Sequence, residues 1–453
     1  MKQIIITLML ICIGCSCSTY RKYSMPETIS TENLFGEGVL TEDTVTIASI
    51  PWREFFRDSK LQALIDTGLT NNSDLKIASL RIKEAEATLS AARLAYLPGV
   101  LLNPQGGISK FGSENNVKTY SLGLSADWEI DIAGRITNEK RGAFASLQQQ
   151  QSYYQAVSTQ LIATIANSYY NLLVLDGQIS ISRQSLSAWD EIVRTLEVRK
   201  SVGEAHEASV AQAKASRLEV ENSILSLSHQ IKTTEISLCS LLGWTPRTIA
   251  RNDLKSQMFM ESITVGVPLQ LLANRPDIRQ TEYALQAAYY STNVARTAFY
   301  PSLTLSGTIG WTNNSGAGIA NPGNWLLNAI GSLVQPLFNR GRNIANLKIA
   351  KARQEEALIE FQQKLLEAGG EVNEALAQWQ NANEKLEISS KQIAALEEAV
   401  KSTRLLMTYS EDSSYLEVLT AQQTLLSAQL NEIQEKFDKI QGMIKLYHAL
   451  GGG

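Results

Sequence analysis

Few side chains in this 453-residue sequence could do covalent or metal chemistry, and their spacing decides which. The three histidines, His206, His229 and His448, lie far apart, with no cysteine or carboxylate at metal-ligand spacing. No Gly-rich phosphate loop and no nucleophile elbow occurs. The many glutamates form no pairing with a histidine or a second acid that outweighs an ordinary solvated helix face. The expectation is a chain that is no enzyme and that uses no cofactor and no metal. Of the four cysteines, Cys12, Cys15 and Cys17 crowd the N-terminus and only Cys239 remains in the body, which argues against a disulfide framework.

One chemistry is left, and it is written in those first residues. Met1-Lys2 is followed by "QIIITLMLICIG", an apolar run too short to span a bilayer and right for the core of a secretory signal. "GCSCSTYRKYSMP" comes next, in which Gly14-Cys15 and Ser16-Cys17 both fit loosely the lipobox of bacterial lipoproteins, whose cysteine takes a lipid and becomes the new N-terminus. The leucine usual three residues before the cysteine is missing in both registers. Ordinary signal cleavage with incidental cysteines is the alternative. No later apolar run approaches the roughly 20 residues of a membrane helix. A net charge of −4 gives no reason to expect nucleic acid or electrostatic membrane binding.

The rest of the chain must position something larger than a catalytic group. Ten prolines are present, yet none falls between Pro104 and Pro246 and none follows Pro336. Proline costs roughly 3 kcal/mol inside a helix, so both gaps permit very long helices. Apolar residues recur there at threes and fours, as in Leu161, Ile165, Tyr169, Leu172 and again in Leu386, Ile393, Leu396, Val400. A helix of about 60 residues would run roughly 90 Å at 1.5 Å per residue. Between these stretches the period changes to two. "YSLGLSADWEID" (120–131) and "SLTLSGTIGW" (302–311) alternate apolar and polar residues over about ten positions, as a membrane β-strand does. Weaker partners precede the first ("VLLNPQGGISKF") and follow the second ("NWLLNAIGSLVQPLF"). Trp128, Trp311 and Trp325 are candidates for the membrane interfaces. Two hairpins of a soluble sandwich would read the same way. If they do cross a membrane, four strands cannot close a barrel, since closed membrane barrels start at eight, so the chain must oligomerise.

The pattern is written twice. "DLKIASL" from Asp74 and "DIRQTEYAL" from Asp277 open equivalent helices 203 positions apart. Ala92-Arg93 answers Ala295-Arg296, and Gly134-Arg135 answers Gly341-Arg342. "LCSLLG" (238–243) answers "LYHALG" (446–451). Each half reads helix, β-hairpin, long helix, helix, with the chain reversing near Gly203 and Ser410. In the second half Pro276 and Asp277 suit a helix start, with Gln280 as a capping-box partner. Two large copies suit a pseudo-symmetric unit of a closed ring.

With "GVPLQLLANRPDI" (266–278), "NNSDLKIASL" (71–80), "NRGR" (339–342) and "YLEVLTAQQTLLSAQ" (415–429), the whole mature chain resembles the outer membrane efflux protein family. More narrowly, it is similar to the lipidated TolC-like channels that serve resistance-nodulation-division pumps. "CSTYRKYSMP" resembles the family's start in a register that favours Cys17, with Cys15 as alternative. The expected divisions are a lipoprotein signal peptide at 1–16, an anchored segment at 17–60, a first repeat at 61–246, a linker at 247–268 and a second repeat at 269–453. The resemblance implies a mainly α fold with a membrane β-barrel part: a long periplasmic helical barrel, and four strands per chain completing a 12-stranded barrel in a homotrimer. It implies an outer-membrane exit duct extending into the periplasm, partnered by a periplasmic adaptor and an inner-membrane pump, and carrying drugs or other small toxic compounds. A duct for metal efflux or type I protein secretion is the alternative within the family, although no Met- or His-rich stretch suggests copper or silver. Outside the family, the alternative is a periplasmic coiled-coil lipoprotein without a barrel.

The same resemblance implies a periplasmic gate at Leu416, Glu417 and Thr420. Family members carry an acidic ring on "V-D-V-L-D-A", which here reads Leu416-Glu417-Val418-Leu419-Thr420-Ala421. Glu417 keeps one acid and Thr420 replaces the other, so the ring is expected to be less negative, with Glu411 and Asp412 adding acid nearby. A solvated helix face is the plain alternative for Glu417.

Overall fold

The computed structural model describes residues 21–25, 50–110, 112–113, 115–257, 275–312, 324–409 and 415–452. Cys15, Cys17, Glu411 and Asp412 lie outside the described residues. The elements follow in order α1 (Trp52–Phe55), α2 (Ser59–Asn71), α3 (Ser73–Leu94), β1 (Gly99–Ser109), β2 (Val117–Ile130), α4 (Arg135–Ser201), α5 (Glu207–Leu241), α6 (Pro276–Thr297), β3 (Ser302–Thr312), β4 (Asn324–Val334), α7 (Arg342–Tyr409) and α8 (Tyr415–Ala449). The helix, hairpin, long helix, helix order thus occurs twice. The proline-free stretches hold α4 and α7, of 67 and 68 residues. Among the described residues no helix is long and apolar enough to cross a membrane.

Contacts divide the chain into two compact units, each drawing on both halves of the sequence. The first holds the whole sheet with the adjoining ends of α3, α4, α6 and α7. Its strands form one antiparallel sheet in the order β1-β2-β3-β4. Where β2 gives way to α4, the Asp131 carboxylate accepts the Ile136 and Thr137 N–H groups at 3.0 and 2.8 Å, and Gly134 takes φ +77°. Two donors that a helix start leaves without intrahelical partners are thereby satisfied. Arg135 then ties the strand to the helix, reaching Glu129 through two nitrogens at 2.8 and 2.6 Å and Glu139 at 2.5 Å.

The second unit holds α1, α2, α5, α8 and the remaining helical stretches. Its core packs Leu61 and Ile65 of α2 on Ile165, Tyr169 and Leu172 of α4, with Leu238 of α5 and Ile444 of α8. Asp58 caps α2, accepting the Lys60 and Leu61 N–H groups, and also takes hydrogen bonds from Tyr169, Asn252 and Gln257. Burial opposes its charge, but these hydrogen bonds outweigh burial and hold the carboxyl below its ordinary value. Burial pushes the Tyr169 phenol up, so it stays a donor.

At the start of α6, Pro276 is the first helical residue and the Asp277 carboxylate accepts the Ile278 N–H at 3.0 Å. Arg275, only 2 % exposed, forks onto Asp277 at 3.0 and 2.7 Å and also reaches Glu371 of α7 at 2.6 Å. Burial alone would lower its pKa, yet the two carboxylates together raise it, so the guanidinium remains charged.

Candidate functional site

Register turns four separate alternating strands into one two-faced sheet. Trp128 stands opposite Leu305, Leu124 opposite both Leu102 and Ile309, Leu122 opposite Trp311, and Ile309 opposite Leu327. Because partners and second neighbours share a face, these residues make one apolar surface across all four strands. Leu102, Leu122, Leu124, Leu305, Ile309 and Leu327 on it are all exposed. The opposite face is polar along β2 and β3, while the edge strands place the exposed Leu101, Ile330 and Val334 on it. There Asn103 Nδ2 donates to Ser125 Oγ at 2.8 Å and Ser306 Oγ to Asp127 Oδ1 at 2.6 Å, while Ser125 faces Thr308 and Thr308 faces Asn328.

A sheet in a soluble sandwich would bury its apolar face against another layer. Here both faces are open, one apolar and one polar along the two central strands, as a barrel wall between lipid and a water-filled lumen requires. Trp128 and Trp311 mark opposite ends of the apolar band, and position 325 stands opposite Trp311. The Trp128 indole donates to the Tyr96 carbonyl at 2.8 Å, fixing one polar tip at the helical end of the band. Strands β1 and β4 form the two edges, with no further strand beside them among the described residues.

Close approach at the middle of the sheet depends on a glycine pair. Gly123 and Gly310 stand opposite each other, and a Cβ on Gly310 would lie 2.4 Å from the Leu122 carbonyl oxygen. No such collision meets a Cβ on Gly123, whose nearest neighbours are 3.5 Å away. The sequence pattern had these positions only as polar-face alternation.

The three residues expected at a gate share one side of α8. Leu416, Glu417 and Thr420 are exposed, whereas Val418 and Leu419 between them are buried at 2 % and 4 % exposure. Those two pack on Trp189, Ile192 and Leu196 of α4 and on Val210 and Ala213 of α5, which fixes how the first turn of α8 is rotated. Tyr415 locks the same turn, accepting from Arg199 Nη1 at 3.2 Å and donating to the Glu204 carbonyl at 2.5 Å. Gly203, at φ +85°, makes the turn between α4 and α5. Beyond Thr420 the exposed positions run on as Gln423, Thr424, Ser427, Asn431 and Gln434. All are polar and uncharged, so Glu417 is the charge at the end of a neutral polar stripe. Acidic residues on the neighbouring stretch of α4 are paired instead: Glu197 with Lys214 at 2.7 Å and Asp190 with Arg217 at 2.6 Å. Nothing in the motif alone foretold Tyr415 as the residue that seats the turn.

Among the described residues no cluster of histidine, cysteine and carboxylate groups could hold a metal ion.

Comparison with known proteins agrees with this geometry. The family model described as outer membrane efflux protein matches residues 64–244 and 267–452. The cation efflux system protein CusC of Escherichia coli K12 is 28% identical over 445 residues, covering 97% of this chain and 96% of that protein. The pyoverdine export outer membrane protein OpmQ of Pseudomonas aeruginosa is 30% identical over 424 residues, covering 89% and 87%. Among solved structures, the outer-membrane channel OprN superposes with a TM-score of 0.87 at 25% identity, covering 96% of this chain and 98% of that one.

Proposed function

Because the chain belongs to the outer membrane efflux protein family, we propose that three copies close a twelve-stranded barrel and form the exit duct of a tripartite efflux assembly. The observation that carries this is the two-faced sheet with open edges on β1 and β4. An unpaired backbone group in lipid costs several kcal/mol, so the edges need strands from neighbouring copies. A lipid on Cys17 tethers the chain to the outer membrane. A periplasmic adaptor and an inner-membrane resistance-nodulation-division pump deliver the cargo, and the duct conducts it passively, without catalysis.

Leu416, Glu417 and Thr420 line the periplasmic constriction. Their shared exposed side on α8, held in place by the buried Val418 and Leu419, supports that role. One acid per chain concentrates cations in a narrow pore and raises the barrier to anions, but less than two acids would.

The cargo is a drug or another small toxic compound. A second reading, a duct for metal cations, is favoured by the likeness to a cation efflux protein over almost the full chain. Selection by the pump leaves either compatible with this wall. Deletion of the chain in its own host, followed by a drug, dye, bile-salt and metal susceptibility panel, tests both. Sensitisation to organic compounds alone supports the first reading, and sensitisation to metal ions alone supports the second. No change in a strain without a redundant channel would remove the efflux role.

A further inference from the structure

In the sheet-bearing unit, a cavity of about 640 Å³ opens between α3, α4 and α6, directly beneath the strands. Its walls are Leu89, Tyr96, Phe144 and Tyr290, and its charged lining is entirely cationic: Arg93, Lys140 and Arg141. Leu89 and Tyr290 are buried, whereas Phe144 is 49 % exposed at the mouth. The Lys140 ammonium stands 5.0 Å over the Tyr96 ring, which fixes one cation against an apolar wall.

Further observations relate this cavity to the sheet. Arg93 lies in the last turn of α3, six residues before β1, and Lys140 in the second turn of α4 after β2. Both therefore sit within about two helical turns of the membrane strands, at headgroup depth on the periplasmic side. Trp128 belongs to the apolar face of the sheet, and its indole reaches the carbonyl of Tyr96, a residue of the cavity wall. The N-terminal segment approaches the same wall: the Tyr23 N–H donates to the Tyr290 hydroxyl at 3.4 Å, and the Tyr23 ring meets Tyr289 edge-on at 5.7 Å.

We propose that this cavity seats the headgroup phosphate and the adjoining acyl carbons of one anionic phospholipid from the periplasmic leaflet. A lining whose charged side chains are all basic favours a net-negative headgroup over a zwitterionic one, and the apolar walls exceed what a free phosphate ion would use. The inference rests on the outer-membrane placement of the sheet and not on what the duct carries.

Native mass spectrometry of the full-length oligomer in detergent, titrated with phosphatidylglycerol or phosphatidylcholine, tests it. One phosphatidylglycerol per chain is expected, with phosphatidylcholine held at least about tenfold more weakly. R93Q/K140Q/R141Q should lose that preference while remaining oligomeric, and millimolar inorganic phosphate should not displace the lipid. Equal retention of the two lipids, an unchanged preference in the triple variant, or displacement by inorganic phosphate would each overturn the proposal. Should the triple variant fail to assemble, photoactivatable phosphatidylglycerol on the unaltered protein decides. Labelling of the peptide from Lys140 to Phe144 supports the site, and labelling confined to other segments refutes it.

Discussion

Asn72 and Arg275 hold the same place in the two halves of the chain, and each donates to the carbonyl of the helix residue that ends its half. Asn72 Nδ2 reaches the Leu241 oxygen at 3.0 Å, and Arg275 Nη1 reaches the Ala449 oxygen at 2.9 Å. The helix ends match too. Gly243 and Gly451 take φ +66° and +86°, and the following N–H groups of Trp244 and Gly452 turn back to Cys239 and Tyr447. Asn72 also caps α3 through its own oxygen, which accepts the Asp74 and Leu75 N–H groups. Arg275 cannot accept, so Asp277 takes over that task and pairs with the arginine. One joint is a neutral amide and the other an ion cluster.

Removing the second joint should therefore cost more. Arg275→Ala breaks the ion pairs to Asp277 and Glu371 and should destabilise the protein by about 3 kcal/mol, the low end for a broken buried pair because Glu371 is 44 % exposed. Asn72→Ala should cost about 1 kcal/mol, as a lost helix cap. Heat-induced dissociation of the purified oligomer measures both, and the order of the two is the test.

Acid should act through Asp58. Its folded-state pKa lies below the ordinary carboxyl value of 3.8, so it contributes stability above that value and loses it as pH falls through the folded value. Asp58→Asn should lower the melting temperature at pH 7 and flatten its dependence on pH below about 4, when melting is followed across pH.

The glycine pair gives a one-sided expectation. Gly310→Val should block strand pairing and abolish the heat-modifiable barrel form on gels, since its Cβ falls on the Leu122 carbonyl. Gly123→Ala, across the same rung, should assemble normally.

Facing assigns opposite sensitivities to adjacent positions. Leu124→Lys puts a charge on the apolar face and should cost about 2–4 kcal/mol near the bilayer midplane. Ser125→Lys, on the polar face, should assemble normally and shift ion selectivity toward anions. Quantifying folded protein in outer-membrane fractions separates the two.

At the gate, Glu417→Ala should weaken divalent-cation block of single-channel current in planar bilayers. Thr420→Asp should strengthen that block and the cation preference. If neither variant alters block, these two positions do not line the constriction.

The strands were legible because alternation is a local signal: positions 120–131 and 302–311 fall on β2 and β3 with end shifts of a few residues. The long helices were legible because proline is so costly inside one. Alternation did not say whether the apolar face meets lipid or another layer, since that depends on what lies beyond the strand. Pairing across four strands and the open exposure of Leu122, Leu124 and Ile309 answered it. At the gate, the residue types were readable but not the buried packing of Val418 and Leu419 that turns Glu417 outward. The tie from Tyr169 to Asp58 was not readable at all, because its partners are 111 positions apart.

The edges of β1 and β4, unpartnered among the described residues, carry a genetic consequence. In the proposed trimer each ring is only as sound as its worst member, so a chain with a proline in β4 poisons its neighbours. Were such a chain co-expressed at parity with the normal one and mixed at random, only about one ring in eight would be wholly normal. A defect at this edge would therefore be inherited as dominant, whereas loss of the whole chain would be recessive.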